Sequence, residues 1–233
     1  QLRPYERLSL PERYRARTRT AHRIAVTIQL TNAGKRFRFD WIFRDLNYQF
    51  RPGVSYALQG PNGSGKSTLL KILSGHLSLS KGKIVFEENE EPLEPDVVYR
   101  KVSLAAPYID LIEEFTLEEA LQFHSRLKPL LPEYTPERLY ETLELPRTRA
   151  KEIRYFSSGM RQRVKLSLAI CSDTPVLLLD EPGTNLDKNA RDWFKNLLER
   201  HSAGRLVVIA SNDSVDLESC SESLNILDFS KSA

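Results

Sequence analysis

Gly60-Pro61-Asn62-Gly63-Ser64-Gly65-Lys66-Ser67-Thr68 is the stretch that decides the fold. A short apolar run, residues 54–58, leads into it, and Leu69, Leu70, Ile72 and Leu73 follow at helical spacing. Together these fit G-x-x-x-x-G-K-[ST], a phosphate loop set between a strand and a helix. Glycine lets the backbone curl so that its N–H groups surround an anion. The next helix turns its positive end toward the same phosphates. Lys66 has the reach for β- and γ-phosphates, and Ser67 has a hydroxyl suited to Mg²⁺.

Outward from the loop, strand-like and helix-like segments alternate, which predicts an α/β protein. Residues 24–30 alternate apolar and polar, then turn at Asn32-Ala33-Gly34; a second edge-like segment, 41–50, stops at Arg51-Pro52-Gly53. The helix after the phosphate loop is expected to stop at Gly75. Thr116-Leu117-Glu118-Glu119 is a capping box that opens a helix ending near Pro129. Thr135-Pro136 starts another, running to about residue 145. Residues 157–170 form a third. Residues 108–172 therefore read as a mostly helical lobe inserted into a sheet protein. A strand at 176–179, a helix at 189–200 ending at Gly204, and strands at 206–210 and 224–227 complete the chain.

The strand at 176–179 ends in Asp180-Glu181-Pro182. An apolar strand closing on a carboxylate puts Asp180 at the edge where open α/β sheets bind ligands. Neighbouring acids on an extended chain point to opposite sides. Asp180 is thus expected to hold Mg²⁺ while Glu181 faces an attacking water as general base.

Composition narrows the class. In 233 residues, 40% are apolar and 28% charged, enough for a packed core under a soluble surface. No run approaches the roughly 20 apolar residues of a spanning helix, which excludes spanning but not membrane partnership. Cys171 and Cys220 make no disulfide framework, and the four histidines have no metal-ligand spacing. The net charge of +3 divides unevenly. Residues 1–23 carry seven arginines against Glu6 and Glu12, so a basic arm precedes a nearly neutral body. The arm reads as a disordered tail, with contact to acidic lipid or a partner as the other reading, and order is expected from Ile24.

These motifs resemble those of the ATP-binding cassette (ABC) ATPases, the nucleotide-binding subunits of transporters, over residues 24–233. Tyr155-Phe156-Ser157-Ser158-Gly159-Met160, followed by Arg161-Gln162-Arg163, sits where that family carries its signature motif. The resemblance implies a P-loop fold of the ABC type: a mixed sheet core, an N-terminal antiparallel part and the inserted helical lobe. It implies that Ser157 and Gly159 contact ATP bound on a second subunit. Ser158 stands in place of the usual glycine and Met160 in place of the usual glutamine, a version similar to exporter-type cassettes. Gly183-Thr184-Asn185-Leu186-Asp187 resembles the D-loop, which makes Asp187 a further candidate at the dimer interface. Phe37 falls where the family stacks an aromatic on adenine; its other reading is a core aromatic.

Two departures stand out. The family's Q-loop glutamine is missing: its position is Pro107, and no glutamine occurs between Gln59 and Gln122. Asn212 stands in place of the switch histidine. An amide can hydrogen-bond a γ-phosphate but cannot carry a proton as imidazole does.

The resemblance implies an Mg²⁺-dependent ATPase that works as a head-to-tail homodimer or paired cassette. Its partner is a separate transmembrane permease, and its place is peripheral on the cytoplasmic face of the inner or plasma membrane. The chain also ends soon after its last strand, leaving no expected room for a regulatory or fused membrane domain. The alternative is an ATP-dependent assembly switch with marginal hydrolysis. A nucleic-acid-associated cassette fits poorly, because the lobe is too short for the insertions those forms carry.

Overall fold

The computed structural model describes residues 25–230; the basic arm and the expected start at Ile24 lie outside the described residues. Strands β1 (Val26–Phe37) and β2 (Asp40–Phe50) form a hairpin around Arg38-Phe39, with Arg38 at φ 54°. The expected turn at Asn32-Ala33-Gly34 is instead a bulge inside β1, where the register shifts between Leu30 and Ala33. Asn32, at φ 46°, is absorbed because its backbone N–H donates to Asn47 Oδ1 (2.8 Å) and its Oδ1 accepts from Asn47 Nδ2 (3.2 Å) across the ladder.

After the hairpin come β3 (Ser55–Gln59), α1 (Lys66–Leu73), β4 (Lys81–Glu88) and the two-residue β5 (Glu91–Pro92). A short α2 (Val98–Lys101) leads into β6 (Val102–Ala105). Three helices follow: α3 (Leu117–Leu127), α4 (Pro136–Thr142) and α5 (Ser158–Ile170). Then come β7 (Val176–Asp180), α6 (Lys188–Ser202), β8 (Leu206–Ala210), α7 (Ser214–Leu217) and β9 (Glu222–Asn225). The last strand stops earlier than expected, because Asn225 accepts from Leu227 N and starts a 3-10 turn at Ile226–Phe229.

The caps that open α3 and α4 follow the residues expected of them. Thr116 Oγ1 accepts from Glu119 N at 3.2 Å while Glu119 Oε2 accepts from Thr116 N at 2.8 Å, and Thr135 accepts from Arg138 N at 3.3 Å. Each such cap contributes about 1 kcal/mol.

The mixed character of the fold is divided between two sheets. One is antiparallel, in order β2-β1-β4-β5; the other is parallel, in order β6-β7-β8-β3-β9. Side chains that alternate along β7 and β8 reach two cores. Val176, Leu178, Leu206 and Val208 pack with α1 and the antiparallel sheet, whereas Leu177, Leu179, Val207 and Ile209 pack with α5, α6 and the helical segment. A strand buried on both faces must be apolar throughout. The parallel arrangement brings the carboxyl ends of β3, β6, β7 and β8 to one edge. Among the described residues, no helix is long and apolar enough to cross a membrane.

Candidate functional site

The loop between β3 and α1 is shaped by two glycines. Gly60 leaves β3 at φ 143° and Gly65 caps α1 at φ 107°, in regions that disfavour a side chain. A Cβ on Gly60 would come within 2.6 Å of Ser64 Oγ and 2.7 Å of Ile226 Cγ2, and one on Gly65 would collide with Ile42. Pro61, Asn62 and Gly63 form the exposed rim of the loop, while Ser67 and Thr68 occupy the first turn of α1. Lys66 is buried, and its Nζ donates to Gly60 O (2.6 Å), Pro61 O (3.2 Å) and Asn212 Oδ1 (3.0 Å).

Asp180, the last residue of β7, pairs in register with Ala210 of β8. It is 2% exposed, and neither carboxylate oxygen has a hydrogen-bond partner. Burial raises its carboxyl above the usual range and the Glu181 charge adds to this, while neighbouring Ser67, Lys66 and Lys71 act the other way. A buried carboxylate with free lone pairs beside a serine hydroxyl is the donor set of a hard divalent cation. Ser67 and Asp180 therefore fit Mg²⁺.

Glu181 is turned away from Asp180, but not by strand alternation as expected. It lies past the end of β7 at φ 46°, and its N–H donates to Ala210 O at 2.7 Å. In that posture Glu181 Oε1 accepts from Asn212 Nδ2 (2.8 Å) and Oε2 from Ser211 Oγ (3.2 Å). Asn212 Nδ2 also donates to Asn62 Oδ1 at 2.5 Å. One amide thus collects Lys66, Asn62 and Glu181, joining the loops after β3, β7 and β8.

Three neighbours were not singled out from sequence. Ser211 Oγ also contacts Asp216 Oδ2 at 2.8 Å, so one hydroxyl lies between two carboxylates. Asp216, 6% exposed, accepts from Gly183 N at 3.2 Å and fixes the turn behind Glu181. Gln162 Nε2 of α5 donates to Pro182 O in that turn at 2.9 Å. Ser211 is next to Asn212 in the chain, but the alignment of Asp216 with Ser211 depends on α7. Tyr108, next to the Pro107 departure, is the fourth residue overlooked: its phenol oxygen is buried without a hydrogen-bond partner. Burial, followed by the charge of Asp180, pushes that phenol above its ordinary value.

The signature residues stand apart from this cluster. Ser157 caps α5, accepting from Met160 N at 3.2 Å, and is exposed together with Ser158. A Cβ on Gly159 would lie 2.8 Å from Asn185 O, so the signature helix rests on the D-loop-like turn. Asp187 is exposed and caps α6, accepting from Ala190 N at 2.8 Å. Among the described residues no hydrogen bond runs from Ser157, Gly159 or Asp187 to the phosphate loop. Phe37 is 48% exposed at the end of β1, with Lys35 Nζ 5.2 Å from its ring centroid, and is not a core aromatic. Cys171 and Cys220 are both free thiols, pushed up to about 12 and about 11 by burial.

The family model described as ABC transporter matches residues 43–184, more than half of the chain. The Nod factor export ATP-binding protein I of Rhizobium johnstonii is 29% identical over 87% of this chain and 67% of its own length. The sulfate/thiosulfate import ATP-binding protein CysA of Nitrosomonas europaea is 33% identical over 74% of this chain and 50% of its own. The chain thus spans between half and about two thirds of these curated relatives. Among solved structures, an ABC transporter ATP-binding protein from Pyrococcus furiosus superposes with a TM-score of 0.73 at 22% identity, over 88% of this chain and all of its own. A bacterial ABC transporter cassette solved as a dimer gives 0.72 at 22% identity, over 85% and 94%. The chain belongs to the ABC transporter family and is an ATPase cassette of it.

Proposed function

We propose that the chain binds ATP at the Lys66 loop and hydrolyses it within a head-to-tail pair of cassettes, so energising a separate transmembrane permease from the cytoplasmic face of the membrane. The observation that carries this is the Asn212 amide, which holds Lys66 and Glu181 together at the edge where three parallel strands end. Loop amides from Asn62 to Lys66 and the N-terminus of α1 take the phosphates. Lys66 exchanges neutral carbonyl acceptors for phosphate oxygens. Ser67 and Asp180 hold Mg²⁺, which when bound offsets the charge on the β- and γ-phosphates.

Glu181 takes the proton of the attacking water as general base, held in place by Asn212 and Ser211. Asn212 supports hydrolysis by positioning, since an amide carries no proton at neutral pH. Phe37, exposed on β1, is the adenine contact. Ser157 and Gly159 of one subunit close over ATP on the other, with Asp187 at the same interface, because Ser157 and Asp187 are exposed, Gly159 is half-exposed, and none shares a hydrogen bond with its own phosphate loop. The dimeric cassette of the same fold supports that assembly.

Asn212 in place of histidine favours a second reading, an assembly switch with marginal hydrolysis. The oriented Glu181 weighs against it, because a switch has no need of a placed base. Tagged chain recovered from membranes of its native host tests the permease arm. Recovery with one integral membrane protein, released by ATP and Mg²⁺ treatment or not, supports the proposal, and recovery with soluble proteins alone refutes it.

A further inference from the structure

β6 ends at Ala105, which pairs in register with Leu179, one residue before Asp180. The loop leaving β6 therefore emerges beside the Asp180 carboxylate, and Tyr108 is its third residue. Two unmet needs lie near each other there. The Tyr108 phenol oxygen is buried with no hydrogen-bond partner, and the Asp180 oxygens make no bond of good geometry, with only the Ser67 hydroxyl acting on them from nearby. The charge of Asp180 acts on the phenol, yet the two groups do not bond directly. Lys71 joins them: its Nζ sits 3.9 Å from the Tyr108 ring centroid, and its charge also acts on Asp180. The cation–ring contact fixes the ring and leaves the hydroxyl free to donate.

A buried hydroxyl left unmade is unfavourable in a folded chain. The group that would satisfy both sides is an oxygen that accepts from the phenol while being tied to a cation held by the carboxylate. A water or phosphate oxygen in the Mg²⁺–triphosphate cluster has that chemistry. We infer that Tyr108 is a positioning residue that donates its phenol hydrogen to an oxygen of the Mg²⁺–ATP cluster held by Ser67 and Asp180. It thereby supplies, from the loop after β6, a polar contact that Pro107 cannot make. The inference rests on the ATP reading above.

Mn²⁺ serves as the probe. Its affinity for the ATP-loaded full chain is read by electron paramagnetic resonance, and ATP binding in EDTA by calorimetry. Tyr108→Phe is expected to weaken Mn²⁺ about tenfold, as loss of one charge-assisted hydrogen bond does. ATP binding in EDTA should change less than twofold. The unliganded variant should melt no lower than wild type, since it loses only an unpartnered hydroxyl. Its gain in melting temperature on adding Mg²⁺–ATP should be smaller. Equal Mn²⁺ affinity in wild type and Tyr108→Phe overturns the role of Tyr108 while leaving the ATP site intact. A lower melting temperature without ligand and an unchanged gain with it show a structural role and also overturn it. A wild-type chain that binds no Mn²⁺–ATP overturns the ATP reading itself.

Discussion

The Asn212 amide donates from Nδ2 to Glu181 Oε1 across 2.8 Å and so ties the loop after β8 to the end of β7. Its Oδ1 is at the same time the acceptor of Lys66 Nζ at 3.0 Å. An amide can serve a cation and a carboxylate together because it has an acceptor at one atom and two donors at the other. Neutral imidazole offers one of each on opposite sides of a ring. On the proposed reading, an asparagine at this position acts by holding Glu181 in place.

Asn212→Ala should lower single-turnover hydrolysis by roughly ten- to a hundred-fold, since a hydrogen bond to a charged group is worth about 1.5–3 kcal/mol. Asn212→His should recover turnover only in part, because imidazole can reach a phosphate but cannot keep the acceptor for Lys66 and both donors, to Asn62 and Glu181, in one place. An unchanged rate in Asn212→Ala, with robust wild-type turnover, would show that the amide is not what orients Glu181.

Lys66→Ala should abolish ATP binding measured by calorimetry, because it removes the one side-chain cation built into the loop. Wild-type affinity in that variant would refute the phosphate site.

The motifs with fixed spacing were legible in sequence: the phosphate loop, Asp180-Glu181, the caps at Thr116 and Thr135, and the buried strands, expected at 176–179 and 206–210 and found at Val176–Asp180 and Leu206–Ala210. Each depends on local chemistry that a short stretch carries by itself. β4 and β6 were not legible. In β4 only Phe86 is fully buried and the first three residues are exposed, so its apolar alternation is blurred. β6 is four residues long and owes its place to pairing with β7. The bulge at Asn32 looks like a turn until its partner Asn47 is known. In the site, the individual residues were readable but their connections were not: the bridge through Asn212, the Ser211–Asp216 pair and the approach of Tyr108 to Asp180 all arise from strands adjacent in space and distant in sequence.

Ser211→Ala should cut the catalytic rate roughly two- to tenfold with ATP affinity unchanged, because the one hydroxyl proton shared between Asp216 Oδ2 and Glu181 Oε2 is lost while the phosphate loop is untouched. A matched loss of rate and affinity would mean that the change disturbs the turn that Asp216 fixes.

His124 sets an acid limit on stability. Burial, with Lys128 adding to it, lowers its pKa to about 4, and its Nε2 lies 2.9 Å from Ser172 Oγ. An unfolded histidine titrates near 6.5. Between those values the unfolded chain binds a proton that the folded one does not, so stability falls as pH drops from about 6.5 to about 4. The loss by pH 5 should be about 2 kcal/mol, and His124→Gln should remove most of it in urea unfolding at pH 7 and pH 5. Equal losses in variant and wild type would contradict this.

If Glu181 is the general base of the proposed ATP hydrolysis, its loss must stop the chemistry while leaving binding in place. In single-turnover ATP hydrolysis by the purified chain, Glu181→Gln is expected to bind ATP with near wild-type affinity, accumulate as an ATP-bound dimer and hydrolyse at least about a hundred-fold more slowly than wild type. Hydrolysis by Glu181→Gln at the wild-type rate would contradict it.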